Sequence, residues 1–207
     1  MGQKYAYREV RIGPLYPAEA LITREAVYEF LSDATNGSMA GFALGKVVRS
    51  PIGAMATRAQ NVERFLNIGD LGIMHYVEPC YPSNYEGGTK DILDFWSTAV
   101  PILRLTRVAG ALFEQQKASC NLRIEAHLRK ITGQSFWSGP NPNLSLPITT
   151  VSDSVPALSQ VSSCDLPGNA LNITVDLMYQ LRWPFGEQAP PPMTNVREVV
   201  QKLLANV

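Results

Sequence analysis

The chain has 207 residues, of which 45% are hydrophobic and 17% charged, and its 18 basic and 18 acidic residues give a formal net charge of zero. A chain of this length can bury roughly 70% of the surface that its unfolded form exposes, so it needs no disulfide or metal to fold. Neutrality argues against a protein that holds duplex nucleic acid by phosphate contacts alone, because such proteins carry a basic excess. The low charged fraction, against about 25% in an average domain, is consistent with a surface partly buried against a partner.

Hydrophobic runs and cysteines indicate the compartment. No apolar run approaches the roughly 18 residues of a transmembrane helix, and the first residues lack the hydrophobic core of a signal peptide. Cys80, Cys120 and Cys164 are odd in number and far apart. Without an export signal, reduced thiols are the simpler interpretation. The sequence therefore predicts a cytoplasmic protein that does not enter the membrane.

The first fifty residues predict a strand and a helix. Residues 5–12 are rich in β-forming side chains and predict a first strand, which a Gly-Pro pair ends. A helix is predicted over residues 17–33, opened by Pro17 or Thr23, because apolar residues recur there at helical spacing. Residues 42–48 fit either a short strand or a helical turn.

An apolar stripe at intervals of three and four predicts a second helix over residues 51–67. The stripe consists of Ile52, Met55, Ala59, Val62 and Leu66. The next segment, residues 71–79, is apolar on both faces, which predicts a strand in the middle of its sheet. A loop is predicted over residues 80–88.

A long helix is predicted after this loop, with Thr89 as its N-cap. It carries more than one apolar stripe, so we expect it to lie at the centre of the fold. Pro101 interrupts it. Because proline lacks the N–H that a helix needs, we expect a kink or two abutting helices at this point.

The clearest predicted strand covers residues 121–131, where apolar and polar side chains alternate. The apolar set is Leu122, Ile124, Ala126 and Leu128, and the polar set is Arg123, Glu125, His127 and Arg129. Strict alternation predicts a half-buried strand that hides the first set and turns the second towards water.

The last third predicts a loop, a strand and two helices. The loop covers residues 133–147, and the strand that follows is assigned to a sheet edge because Pro156 interrupts its row of N–H donors. An amphipathic helix is predicted over residues 169–183. The final helix begins at Asn195 with a capping box.

Strands and helices are mixed without steady βαβ alternation, so the predicted class is α+β. We expect a mixed, mostly antiparallel sheet packed against a long central helix and several shorter amphipathic helices. A single domain over residues 1–207 is predicted, and a division into lobes 1–88 and 89–207 is the alternative.

No motif for catalysis, metal or cofactor is complete, and no cofactor is predicted. Residues 41–47 superficially echo a phosphate-binding loop, but the loop is one residue short and valine replaces the hydroxyl residue that would hold Mg²⁺. There is no CxxC, HExxH or GxSxG pattern. Cys80 could act as a nucleophile with His75 as its base. In the alternative interpretation, His75 is a core or sheet histidine with a hydrogen-bonded ring nitrogen.

The polar row of residues 121–131 is the best candidate contact surface. Arg123, His127 and Arg129 could grip an anionic ligand or the acidic edge of a partner, and Arg104 and Arg107 would extend the surface if they faced the same side. The alternative is a solvated strand face with an internal Glu–Arg pair. Two tryptophans, Trp137 and Trp183, lie at the turn-rich ends of predicted strands or helices. They could be recognition anchors for a partner or could cover the core.

Three segments of the second half carry a family resemblance: DFWSTAVPILRLTRVAGALFEQ, LRIEAHLRKITGQSFW and ITVDLMYQLRWPFG. In this order, residues 91–207 resemble the C-terminal region of bacterial DNA- or ATP-binding proteins with an AlbA-like (Schlafen-type) N-terminal domain. The Glu-Phe-Lys segment and Asn-x-x-Gly-Gly turn of the AlbA-like domain are not recognisable before residue 91. The resemblance implies a sensing or interaction region standing alone, and it carries over no catalytic or nucleotide-binding residue.

These observations lead to a functional expectation. We expect a non-catalytic accessory or interaction module that acts within a protein complex or a homo-oligomer. One alternative is a domain that binds nucleic acid or an anionic ligand through the basic strand face. Another is a structural subunit of a virus or phage particle, a role that neutral, charge-poor, loop-rich α+β chains also suit.

Overall fold

The computed structural model describes residues 5–16, 19–33, 46–58, 61–80, 83–85, 88–90, 92–137, 150–185, 197–198 and 200–202. The strands among them are β1 (Tyr7–Pro14), β2 (Lys46–Ser50), β3 (Gly53–Arg58), β4 (Asn61–Gly69), β5 (Met74–Pro79), β6 (Ser83–Tyr85), β7 (Gly88–Lys90), β8 (Ile92–Asp94), β9 (Asn121–Arg129), β10 (Ser135–Trp137) and β11 (Ser154–Ser162). The α-helices are α1 (Arg24–Ser32), α2 (Phe95–Gln115) and α3 (Leu166–Arg182), and two short 3-10 helices, Ser163–Asp165 and Trp183–Phe185, flank α3. Residues 197–198 and 200–202 are also helical.

Seven strands form one antiparallel sheet in the order β11-β9-β1-β5-β4-β3-β2. Strands β2 to β5 follow one another along the chain, whereas β1 lies between β5 and β9 and joins both halves of the sequence in one sheet. Two small separate sheets pair β8 with β10 and β6 with β7. The predicted α+β class, with a mostly antiparallel sheet and a long helix, is confirmed.

Strand β9 has the orientation that its alternation predicts. Leu122, Ile124 and Leu128 are fully buried, whereas Arg123 is exposed. Hydrogen-bonded neighbours on both sides, β1 and β11, hold the strand in register over its whole length. Because side chains of a strand point alternately to its two faces, the buried set defines the core side of the sheet.

The predicted helix over residues 51–67 is wrong, because the described residues of this range include the antiparallel strands β3 and β4. Buried residues recur at intervals of two on each strand, Ala54 and Ala56 on β3 and Leu66 and Ile68 on β4, while Ile52 from the predicted stripe is exposed. Over so short a segment, apolar residues can fit both the helical and the strand period. Pairing of β4 with the central strand β5 decides between them, since packing partners commonly override local propensity.

The first helix begins where one of its two predicted caps lies. Thr23 is the N-cap of α1, and its Oγ1 accepts a hydrogen bond from the backbone N–H of Ala26 at 3.2 Å. This bond satisfies one of the free N–H groups at the start of a helix. Helix α1 is therefore shorter than the predicted range of 17–33.

The long helix α2 starts at a different residue from the predicted one. It begins at Phe95, so Thr89 is not its N-cap; that residue lies in β7, paired with Asn84. The helix continues through Pro101 as a single element, so of the two alternatives predicted at this point the pair of abutting helices is wrong. The loop predicted over residues 80–88 likewise contains β6.

The C-terminal elements agree more closely. Strand β11 lies at an edge of the sheet, as the proline at position 156 predicts. Helix α3 begins at Leu166, slightly before the predicted range of 169–183, with Pro167 in its first turn. Proline is tolerated there because the first N–H groups of a helix have no partner within it.

Several predictions lie partly outside the described residues. Of the ambiguous segment 42–48, residues 46–48 belong to β2 and the rest is not described. Of the loop 133–147, the described part contains β10. The predicted first residue of the last helix, Asn195, is also outside them.

The three α-helices pack against the same face of the sheet. Helix α1 contacts β2 and β3, α2 contacts β1, and α3 contacts β9 and β11. Buried side chains from the helices and from this face of the strands form one hydrophobic core. Within the described residues, no helix covers the opposite face, and none is long and apolar enough to cross a lipid bilayer.

The outer edge of β11 is capped by a helix side chain. Gln180 of α3 donates from Nε2 to the carbonyl oxygen of Leu158 at 3.0 Å, and its Oε1 accepts from the N–H of the same residue at 2.9 Å. An uncapped edge strand offers such groups to other chains and promotes aggregation. Gln180 and Pro156 together therefore protect this edge.

We predict that Gln180→Ala lowers the free energy of unfolding by about 1–2 kcal/mol, because two hydrogen bonds to the strand edge are lost. It should also increase aggregation at high concentration. Urea denaturation and light scattering measure the two effects. Gln160→Ala, an exposed residue of the same strand, is the matched control and should change neither. Equal effects of the two substitutions would contradict the capping role.

Candidate interaction surface

The face of the sheet that points away from the helices carries a cluster of ionisable side chains on three adjacent strands. We call it the charged face, and its residues are Glu9 and Arg11 on β1, His75 on β5, and Arg123, Glu125, His127 and Arg129 on β9. It contains both histidines of the chain. Register pairing places Glu9 opposite His127, and Arg11 opposite both His75 and Glu125.

Glu9 is the centre of this cluster, and its side chain is only 6% exposed. Its Oε2 accepts a hydrogen bond from Nε of Arg129 at 2.8 Å, and its Oε1 lies 2.8 Å from Nε2 of His75. The same Oε1 accepts from a terminal nitrogen of Arg11. The carboxylate of Glu9 on β1 therefore bonds to side chains of both neighbouring strands, β5 and β9.

The two arginines keep Glu9 ionised. Burial by itself raises the pKa of this carboxyl, but the hydrogen bond from Arg129 and the charge and hydrogen bond of Arg11 outweigh burial. The resulting pKa is about 2, against an ordinary 4.5. A buried carboxylate is tolerated when charged and hydrogen-bonding partners surround it, as they do here.

His75 is held as a neutral donor. Burial lowers its pKa below the ordinary 6.5, and this effect exceeds the opposing hydrogen bond and charge of Glu9. Because Glu9 is ionised, Nε2 of the neutral ring must carry the proton that it shares with the carboxylate. The edge of the ring packs against Phe65, with centroids 5.4 Å apart. The prediction of a sheet histidine with a hydrogen-bonded ring nitrogen is confirmed.

A second, more exposed group surrounds Glu125. Its carboxylate pairs with Arg123, whose side chain is 53% exposed, and lies 3.5 Å from Nε2 of His127. The strand therefore contains an internal Glu–Arg pair. Such a pair was part of the alternative interpretation of the polar row. Arg123 is the most accessible cation of β9 among those in an ion pair.

The ionisable side chains of the charged face bond mainly to one another. The hydrogen bond recorded for His75 goes to Glu9, and within the described residues no serine, threonine or cysteine bonds to its ring. No group of three or more histidine, cysteine, aspartate or glutamate side chains suited to a metal ion occurs in the described part of the chain. The arrangement holds arginine side chains in fixed positions.

The predicted contact residues fall into separate places. Arg123, His127 and Arg129 lie together on the charged face. Arg104 and Arg107 are on α2, which packs against the other face of the sheet, so they do not extend this surface. Arg104 is half-buried and Arg107 is exposed.

The two tryptophans are not part of the charged face either. Trp183 follows α3, is 61% exposed, and its ring is tilted against that of Tyr179 at a centroid distance of 6.5 Å. It is therefore not a plug over the core. Trp137 ends β10, and its side chain lies outside what the structure describes.

Glu9, Arg11 and His75 were not predicted as residues of the contact surface, and His75 was considered as a base for Cys80 or as a core or sheet histidine. A signal for the first two was present, because Glu9 and Arg11 alternate with Val10 and Ile12 in the first predicted strand. Nothing in the sequence pairs that strand with β5 and β9. His75 could not be assigned to the cluster for the same reason.

The interpretation of Cys80 as a nucleophile with His75 as its base does not fit the geometry. Cys80 belongs to the hydrophobic core on the helix side, where it is 9% exposed, whereas His75 points to the charged face. Burial raises the pKa of the Cys80 thiol, which leaves little of the reactive thiolate.

No protein-family model, no curated protein and no solved structure matches this chain. The resemblance of residues 91–207 to the C-terminal region of AlbA-like proteins therefore stays a prediction.

We predict that acid weakens the fold through Glu9. Because its pKa in the folded chain is about 2, against 4.5 for the ordinary group, the folded chain binds fewer protons between these values. The stabilisation is complete above pH 4.5 and is lost as the pH falls towards 2. The lowered pKa of His75 acts in the same direction below pH 6.5. Glu9→Gln should cost about 3 kcal/mol at neutral pH, since it leaves its partners uncompensated.

Urea unfolding of the wild type, Glu9→Gln and Glu125→Gln between pH 7 and pH 3 measures this dependence. The Glu9→Gln curve should fall less steeply with acid than that of the wild type. Glu125→Gln, which breaks a more exposed pair, should cost less than about 1 kcal/mol and keep the wild-type slope. Parallel curves for the wild type and Glu9→Gln would rule out the central role of Glu9.

We predict that the three thiols react with iodoacetamide in the order Cys164, Cys120, Cys80. Cys164 is exposed, and hydrogen bonds from Ser119 and Ser162 lower its pKa, whereas burial raises the pKa of the other two. Cys80 should label at least about tenfold more slowly than Cys164. Mass spectrometry over a time course measures the rates, and labelling in urea supplies the control in which all three react alike. Rapid labelling of folded Cys80 would revive the nucleophile hypothesis.

Proposed function

We propose that this chain is a non-catalytic interaction module that binds a protein partner through the charged face. The observation that carries the proposal concerns the described part of the chain, in which helices cover only one side of the sheet, while the other side holds ion-paired arginines beside exposed apolar side chains. The partner can be a different protein in a complex or a second copy of the chain.

An apolar strip beside β9 supports a protein partner. On β11, Leu158 is 41% exposed and lies opposite Glu125, and the exposed Pro156 lies opposite His127. Protein interfaces commonly combine apolar contacts with arginine and are depleted of unpaired charges at their centre. Leu158 with Arg123 forms a combination of this kind at the margin of the charged face.

The ion pairs support binding because they fix the arginine side chains before a partner arrives. Arg129 and Arg11 are held by Glu9, and Arg123 is held by Glu125. Ordering a free arginine on binding costs side-chain entropy, on the order of 0.5–1.5 kcal/mol. A side chain that is already ordered avoids most of this cost.

The same pairs favour a protein over a nucleic acid. Three arginines of the charged face are matched by two glutamates, so the excess of positive charge is small, and the chain as a whole is neutral. Phosphate contacts would have to compete with the existing ion pairs. A cytoplasmic location is part of the proposal, because the three free cysteines suit a reducing compartment.

The proposal is tested with two substitutions on the surface and one away from it. Leu158→Asp and Arg123→Glu should each weaken binding of the partner at least about tenfold, equivalent to about 1.4 kcal/mol. Arg107→Glu, an exposed charge reversal on α2, is the matched control and should leave binding unchanged. Quantitative affinity capture with the full chain, together with light scattering over a range of concentrations, measures binding to another protein and self-association.

A chain that stays monomeric and captures nothing that distinguishes the wild type from Leu158→Asp would contradict the proposal. Binding to nucleic acid that is lost with Arg123→Glu and falls steeply with salt would favour the alternative of an anion-binding domain. Regular particles in electron micrographs would favour the structural-subunit alternative.

A further inference from the structure

Arg8 lies on the opposite side of β1 from the charged face, among the buried residues beneath the helices. It is 6% exposed, and its neighbours in the sheet are Glu78 on β5 and Leu128 on β9. Arginine is seldom buried without an anionic or hydrogen-bonding partner, because removing the guanidinium from water is costly. The partners of Arg8 therefore need to be accounted for.

The hydrogen-bonding capacity of Arg8 is largely unused. Nη2 donates to the carbonyl oxygen of Pro79 at 3.3 Å, a long bond. Nε and Nη1 are buried and have no hydrogen-bond partner in the part of the chain that the structure describes. A guanidinium carries five N–H donors, so the one on Nε and the two on Nη1 lack acceptors.

Glu78 does not supply the missing acceptor. Glu78 on β5 lies between Arg8 on β1 and Arg64 on β4. Its Oε1 accepts a hydrogen bond from Nη2 of Arg64 at 3.2 Å. Nε of Arg64 donates to the hydroxyl of Tyr76 at 2.8 Å. Arg8, Arg64 and Glu78 together carry one positive charge in excess. That excess lies on Arg8, which makes the fewest hydrogen bonds.

Cys80 does not neutralise Arg8 either. Burial raises the pKa of the Cys80 thiol and outweighs both the charge of Arg8 and a hydrogen bond from it, so the sulfur stays protonated. A neutral thiol is a weak acceptor. The guanidinium therefore lies beside a glutamate that pairs with Arg64 and beside a thiol that is only a weak acceptor.

We propose that Arg8 is a binding site for the oxyanion of a small ligand, either a carboxylate or a phosphate group. Both groups match the planar array of N–H donors on a guanidinium and would supply the negative charge that the row lacks. The site lies on the helix side of the sheet, so it is separate from the surface proposed for a protein partner.

Inorganic phosphate and acetate, compared with chloride at constant ionic strength and pH 7.5, test the proposal on the full chain. At a concentration about ten times its dissociation constant, the ligand should raise Tm by roughly 3–6 °C. A response to phosphate alone identifies a phosphate group, and a response to acetate alone identifies a carboxylate. Line broadening in phosphorus NMR measures phosphate binding independently of stability.

Arg8→Met should abolish the rise in Tm and, without the anion, should be at least as stable as the wild type, because it removes an unpaired buried charge. Arg8→Lys keeps the charge without the planar donors and should weaken binding at least about tenfold. Arg107→Met, an exposed arginine of α2, is the matched control and should respond as the wild type does. Should Arg8→Met fail to fold, the wild-type titration and Arg8→Lys still decide.

An unchanged Tm in both phosphate and acetate, or an equal rise in the wild type and Arg8→Met, would overturn the proposal. The two proposals can fail independently. Leu158→Asp should retain the response to the anion, and Arg8→Met should retain the protein partner, because the two sites lie on opposite faces of the sheet.

Discussion

The structure depends on one buried carboxylate. Glu9 lies on β1, an inner strand of the sheet, and receives hydrogen bonds from Arg129 on one neighbouring strand and His75 on the other. Its ionised form is compatible with burial only while those donors are in place. A shift in register by one residue would turn Glu9 towards the helices and remove it from its partners. The network therefore specifies the alignment of β5, β1 and β9 as well as stabilising it.

The one-sided packing of the helices gives the two faces of the sheet different chemistry. On the charged face, Arg123 and Arg129 each have a glutamate within ion-pairing distance, so their positions are fixed and their charges are largely balanced. On the helix side, Arg8 is buried, and its Nε and Nη1 have no hydrogen-bond partner among the described residues. The first arrangement suits contact with a macromolecule, and the second suits a small anion. Alternation along β1 produces both, because Arg8 and Glu9 are adjacent in sequence and face opposite directions.

The sequence predicted elements well where a single local signal was decisive. Thr23 was one of two candidates for the cap of α1, and Pro156 assigned β11 to an edge. It failed for residues 51–67, where apolar residues fit two periods and pairing with β5 selected the strand. Thr89 was assigned as a cap because threonine suits that position, yet its segment pairs as a hairpin instead. Local propensity yields to pairing when both are possible.

By itself, the sequence of residues 121–129 determined which side chains of β9 face the core, because side-chain direction in a strand repeats every two residues. Only the tertiary structure decided which side chains the polar residues of β9 contact. Glu9 and Arg129 are 120 positions apart, and the layer that holds Arg104 and Arg107 is set by how α2 packs. Such neighbours depend on which strands and helices bury apolar surface against one another. That choice minimises the free energy of the whole chain and is not encoded in any short segment.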